Sequence, residues 1–198
     1  YILAVFLGIG FVGFFLLKKM YPEQDPLQIV NSMLVFAILG DLIFRYLMQK
    51  LPVMNIKPLL ILPVKKEKLV HYVLGKSAFS GFNFMSLFFY IPFSVVLISQ
   101  DYNVGGVLGW LTAMFFIIQT TNFLNFLINK NNSVFAFIAT LLLALLALQK
   151  FTSFNVSVYS QQIFDAIVAN PILALIPFII TVVLYYVNFK LLRARVYL

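Results

Sequence analysis

Asp41 and Arg45 stand four residues apart in an otherwise apolar stretch, a spacing that puts both on one face of a helix. In hydrocarbon either charge is costly alone, so the spacing implies an ion pair. Two roles fit such a pair: a structural lock on the helix end, or a moving gate or proton site. Asn122, Asn125 and Asn129 recur at i, i+3, i+7, with Gln119, Thr120 and Thr121 beside them. Amides on a membrane helix must face protein or water. This arc is therefore either a polar contact between helices or the lining of a transport path. Asn83, with Ser86, Tyr90 and Ser94, makes a weaker stripe of the same kind.

Other chemistry is missing. Gly75-Lys76-Ser77 has the ending of a phosphate-binding loop, but that motif needs a glycine at position 70, which is Val70. The segment also leads into an apolar span rather than following a buried strand, so a P-loop is rejected. His71 is the only histidine and cysteine is absent. A metal site would need companions that the chain lacks, and His71 reads as a surface or interfacial residue. Without paired carboxylates or a Ser–His arrangement, no catalytic, cofactor-binding or metal-binding residue is expected, and the chain is not expected to be an enzyme.

The elements that must carry these residues are membrane helices. Of 198 residues, 63% are hydrophobic and only 10% charged, against roughly a quarter charged in soluble domains. The fold expected is all-α and polytopic, a single transmembrane domain. Six spans are read at residues 1–17, 27–48, 77–98, 104–128, 134–148 and 171–187. Gly8, Gly10 and Gly13 in the first span would let a neighbouring helix approach closely. Pro92 is expected to kink the third. The chain opens on Tyr1 inside an apolar run, which suggests that the natural protein continues beyond it.

Charge gives the orientation. With the first span running outward, the inner side holds Arg45, Lys50, Lys57, Lys65, Lys66, Lys68, Lys76, Lys130, Lys190, Arg193 and Arg195. The outer side holds Lys18, Lys19 and Lys150. Eleven cations against three is a strong positive-inside bias. Both termini and the segment 51–76 then lie in the cytoplasm, while Asn103 and Asn155 face outward. The net charge of +8 is assigned to loops facing anionic lipid rather than to nucleic acid.

Two non-spanning stretches are legible. Past Pro63, Val64-Lys65-Lys66-Glu67 begins a short helix of good helix formers. On it Glu67, Lys68 and His71 share one arc, Leu69, Val70 and Val73 lie roughly opposite, and Lys66 falls on the apolar side. Residues 150–170 form an outer excursion between spans five and six. Within it, Val156 to Val168 reads as an amphipathic helix at the outer interface, with Tyr159, Ile163, Ala166 and Ile167 on one face and Gln161 and Asp165 opposite, the alternative being an irregular outer loop.

The stretch from Pro58 through Leu62-Pro63-Val64-Lys65-Lys66-Glu67-Lys68-Leu69-Val70, followed by Gly75-Lys76, resembles the cytoplasmic segment of ABC exporter permeases of the second type. Those subunits carry Leu-Pro-Val/Ile, a polar basic pair, an aliphatic pair and a later lysine. Here Lys65-Lys66 stand where Ser-Arg is common, keeping charge and losing the hydroxyl. The six-span layout is similar too, and the wording is nearest a class of bacterial permeases of which some are longer. The resemblance implies a coupling helix between spans two and three, with Lys65, Lys66, Glu67, Lys68 and His71 touching an ABC ATPase subunit. ATP and magnesium would belong to that partner. It also implies a second permease unit, a homodimer or similar half, in a bacterial inner membrane. The cargo is not readable, because one fold serves many cargoes. Competing expectations are a basic inner anchor without a partner, a membrane scaffold or assembly protein, and a secondary transporter or channel. The last is disfavoured by the scarcity of charge within the spans.

Overall fold

In the computed structural model, residues 2–49, 65–128, 132–152 and 154–196 are described, and among them the protein is all-helical. In chain order the elements are α1 (Ile2–Met20), α2 (Pro26–Met48), α3 (Lys66–Ala78), α4 (Gly81–Ser99), α5 (Val104–Ile128), α6 (Asn132–Phe151) and α7 (Val156–Ala169). A 3-10 turn (Pro171–Ala174) then leads into α8 (Leu175–Val196). Five helical stretches are long and apolar enough to cross a membrane: Pro26–Met48, Glu67–Ser99, Val104–Ile128, Asn132–Phe151 and Pro171–Ala194. A 19-residue helix, α1, covers the first expected span.

The helix boundaries correct several sequence expectations. Ser77 does not open the third span; it belongs to α3, and the chain breaks at Phe79-Ser80 before α4 begins at Gly81. The last helix does not end at 187, where the sixth span was read, because α8 runs on to Val196. There its apolar side finds α3 to pack against, which offsets the cost of ordering a charged end. At 20 residues, α6 is longer than the span read at 134–148. Pro92 lies inside α4 without ending it.

Local chemistry fixes the ends. Asp25 caps α2, its Oδ1 accepting from the Leu27 N–H at 2.8 Å with Pro26 at the first helical position. The same oxygen accepts from the Tyr102 hydroxyl at 2.7 Å, tying the α1–α2 turn to the α4–α5 turn. Asn103 accepts from the Gly105 N–H at 2.9 Å, and Asn155 caps α7. In the α4–α5 turn Asp101 takes φ of 63°, a conformation that aspartate tolerates better than most side chains.

The core divides into two apolar clusters strung along α5. One joins Phe14, Leu34, Phe93, Leu97, Trp110 and Phe164, from α1, α2, α4, α5 and α7. The other joins Leu69, Val70, Val73, Leu74, Phe123, Phe126 and Leu192, from α3, α5 and α8. Close approach needs glycine at Gly10, Gly106 and Gly109, the last against Pro171. A Cβ on Gly10 would lie 2.6 Å from the Phe89 carbonyl oxygen, so α1 rests directly on α4 beside Pro92. A Cβ on Gly106 would run into the Val168 carbonyl oxygen, where α7 meets α5. Of the three glycines read in the first span, only Gly10 makes such a contact; Gly8 has nothing within 4 Å.

On α7 the buried stripe is Val156, Ser160, Phe164 and Ile167. Tyr159 and Ile163 point outward instead, with exposures above one half. The expected apolar face is thus mostly surface. Asp165 reaches α2, where Asn31 Nδ2 donates to its Oδ1 at 2.7 Å. The inversion has a polar cause: Trp110 Nε1 donates to Asn31 Oδ1 at 2.8 Å and Ser160 Oγ donates to the Asn31 carbonyl at 2.6 Å. The Ser160 and Asp165 bonds tie α7 to α2, while Val156, Phe164 and Ile167 bury the apolar part of the same side.

Candidate functional site

Between the two apolar clusters lies a belt of buried polar side chains, and it starts from Asp41. The Arg45 Nε donates to Asp41 Oδ2 at 2.7 Å, the spacing read from the sequence. Arg45 is fully buried, and its Nη1 donates to Asn83 Oδ1 at 2.7 Å. Thr121 Oγ1 adds a second bond to Asp41 Oδ2 at 2.9 Å. The pair thus joins α2, α4 and α5, and it survives in an apolar setting because both charges are hydrogen-bonded.

Asn83 carries the belt to the break between α3 and α4. Its Nδ2 donates to the Ala78 carbonyl at 2.7 Å, and Gln119 Nε2 donates to the same carbonyl at 3.3 Å. Carbonyls at a helix C-terminus lack intrahelical partners, so side chains of α4 and α5 cap the end of α3. Asn122 and Asn125 are both fully buried. Ser77 Oγ donates to Asn122 Oδ1 at 2.9 Å, Gln49 Nε2 donates to the same oxygen at 3.1 Å, and Asn125 Nδ2 donates to Gln49 Oε1 at 3.2 Å. Three buried atoms of the belt have no hydrogen-bond partner among the described residues: Arg45 Nη2, Asn122 Nδ2 and Asn125 Oδ1.

The other predicted site residues gather on α3. Leu69, Val70, Val73 and Leu74 are buried against α5 and α8, while Lys65, Glu67, Lys68 and His71 are exposed. The two arcs expected of this helix are therefore the buried and exposed sides. Glu67 and His71 are nevertheless engaged with α8. Arg193 Nη2 lies 2.9 Å from Glu67 Oε1, both about half exposed. His71 pairs through Nδ1 with the Tyr185 hydroxyl and stacks on Phe189 with ring centroids 4.4 Å apart. The side chains of Lys65 and Lys68 make no hydrogen bond or ion pair among the described residues. The Lys66 side chain and Asn129 lie outside the described residues.

The sequence reading named Asp41, Arg45, Asn83, Asn122 and Asn125 separately, and the fold brings all five into one network. It missed Gln49 as a junction. The signal was present, because Asp41, Arg45 and Gln49 stand at i, i+4, i+8 on one face of α2. Ser77 was read as the end of a rejected phosphate loop and as the start of the third span, not as a partner of Asn122. Asn31 gave no periodic signal, and its importance comes from α7 and Trp110 meeting it. Among the described residues no group of acids and His is arranged to hold a metal ion.

Over residues 1–198 the chain matches the family described as "Family of unknown function (DUF5687)". No curated protein and no solved structure matches it.

Proposed function

The chain belongs to the DUF5687 family, and we propose that it is the six-span membrane permease subunit of an ABC exporter, driven by a separate ATPase subunit. The observation that supports this reading is the construction of α3. Its apolar side is seated on α5 and α8. Its exposed side carries two cations, Lys65 and Lys68, without a partner among the described residues. Its C-terminal carbonyls are held by Asn83 and Gln119, which lead to the Arg45–Asp41 pair. A push on the exposed side of α3 would reach α2, α4 and α5 through hydrogen bonds rather than through a slack loop. The partner would hold ATP and magnesium and supply the work, and the belt would be the part that rearranges. The termini and α3 would be cytoplasmic in a bacterial inner membrane, and a second six-span unit would complete the path.

The test begins with co-purification of an ATPase subunit from native membrane. Glu67 is a poor place to probe coupling, since Glu67→Arg would set a cation against Arg193. Lys65→Glu with Lys68→Glu avoids that conflict. Both positions are exposed, and an acid at the N-terminal end of α3 suits the helix dipole, so folding should be kept. The expected result is loss of ATPase binding and of its stimulated hydrolysis. Full binding and stimulation in the double variant would turn the reading toward a basic inner anchor.

A further inference from the structure

Gly40, Asp41, Phe44, Phe82, Met85 and Ser86 wall a cleft of about 350 Å³ between α2 and α4. Behind it a pocket of about 30 Å³ shares Asp41 and Ser86 and reaches Tyr90 and Thr121. Phe44 and Phe82 meet across the two helices with ring centroids 5.9 Å apart, closing the cleft toward the end that carries α3.

The electrostatics of this cleft are one-sided. Arg45 and Thr121 both use Asp41 Oδ2, and Oδ1 has no hydrogen bond among the described residues. The Asp41 side chain is 26% exposed and that of Arg45 is 0%. The ion pair therefore turns its negative end to the cleft and its positive end to the protein. Ser86 lines both the cleft and the pocket behind it, Tyr90 lines that pocket, and their hydroxyls make no hydrogen bond among the described residues. Asp41 is the only acid on α2, seven residues before its last, which is roughly 10 Å along the axis.

From this geometry we infer that the α2–α4 cleft binds the head of a single-chain amphiphilic cation, a primary alkylammonium that enters sideways from the bilayer. An ammonium offers three donors and no acceptor, which suits one free carboxylate oxygen and two hydroxyls. Its chain would leave along the apolar walls toward lipid. A carboxylate head would meet the negative end of the pair, and an alcohol would bring one donor. The site goes beyond the exporter reading, since it would serve a permease or a scaffold, and its binding is read without ATP.

The experiment uses the full chain in lipid nanodiscs. The chain lacks cysteine, so Ala37→Cys at the cleft mouth can carry an environment-sensitive fluorophore. Dodecylammonium, dodecanol and dodecanoate are titrated against labelled protein, with empty nanodiscs subtracted. Dodecylammonium should saturate the signal at a concentration about tenfold below dodecanol, and dodecanoate should give no saturable change. Nothing lies within 4 Å of a Cβ on Gly40, so Gly40→Leu starts its side chain in open space, fills the cleft and should abolish the response. Ser86→Ala should raise half-saturation several-fold while leaving the unfolding temperature unchanged. Equal saturation by dodecanoate, or a response that persists in Gly40→Leu, would overturn the site. So would an efficient disulfide between two Ala37→Cys chains, which would give the cleft to a second copy.

Discussion

Arg45 is fully buried, and two of its nitrogens are matched to named acceptors while Nη2 is not. Asp41→Asn would leave its charge buried with a weakened partner. Breaking a buried pair from one side typically costs about 3–5 kcal/mol. The loss expected here is at the lower end, because Asp41 is partly exposed. Replacing Asp41 and Arg45 together by leucine should recover part of it, though not all, since Asn83 Oδ1 and Thr121 would each lose a partner. Thermal unfolding of the two singles and the double in one detergent checks the prediction. A double variant as unstable as the sum of the singles would mean that the two side chains do not act as a pair. Tyr102 behaves differently. Burial, with the hydrogen bond and negative charge of Asp25 added, holds its phenol above the ordinary tyrosine range. A raised pKa in the folded state means that this contribution is complete below the unfolded value and is lost as pH rises through the folded one. The difference in unfolding temperature between the wild type and Tyr102→Phe should therefore stay constant from neutral pH to about pH 10. A difference that fades on acidification would place the effect on another group.

Helix α1 is seated on α4 by one glycine. Gly10→Ala puts a methyl carbon 2.6 Å from the Phe89 carbonyl oxygen and 3.1 Å from Pro92 Cβ. Neither neighbour is the tip of a flexible side chain, so α1 must lift. Overpacking of this kind costs about 1–3 kcal/mol. Gly8→Ala, two residues away and facing open space, should be neutral or slightly stabilising, since alanine is the better helix former. Unfolding temperatures of the two variants should separate by several degrees in that order, and equal values would remove the α1–α4 seat. At this scale the sequence was partly informative. The apolar runs were visible because about 20 such residues suffice to span a bilayer, and α5 came out at 104–128 as read. The break at Phe79-Ser80 was not visible, because Ser77 to Ile98 reads as one apolar stretch. The break depends on Asn83 and Gln119 capping Ala78 from elements distant in sequence. The outward turn of Tyr159 and Ile163 on α7 was hidden for a related reason. In a membrane protein an apolar face can be satisfied by lipid, so polar partners such as Asn31 decide which side turns inward.

For the whole molecule, side-chain contacts sort the helix ends into two groups. Asp25 and Tyr102 join the α1–α2 and α4–α5 turns, and Asp165 brings α7 to the α2 N-terminal part. Gln49, Ser77, Asn125 and α3 gather at the opposite end, with Tyr46 donating to Asn132 at the start of α6. The described cations divide accordingly. Lys18, Lys19 and Lys150 sit at the first end, and Arg45, Lys65, Lys68, Lys76, Lys190 and Arg193 at the second. Among the described residues the charge asymmetry follows this grouping of helix ends. The asymmetry predicts that the second end is cytoplasmic. Asn103 and Asn155 are poor places to test this, because each side chain caps a helix. Gln100 and Gln162 are exposed and Lys68 is exposed at the other end, so single cysteines there should leave the fold intact. In right-side-out vesicles an impermeant thiol reagent should label Gln100→Cys and Gln162→Cys at once and Lys68→Cys only after the membrane is opened. Labelling of Lys68→Cys in sealed vesicles, with the other two protected, would reverse the orientation and put α3 out of reach of any cytoplasmic ATPase. Labelling of all three from outside would mean that the two groups of helix ends do not lie on opposite faces of a membrane.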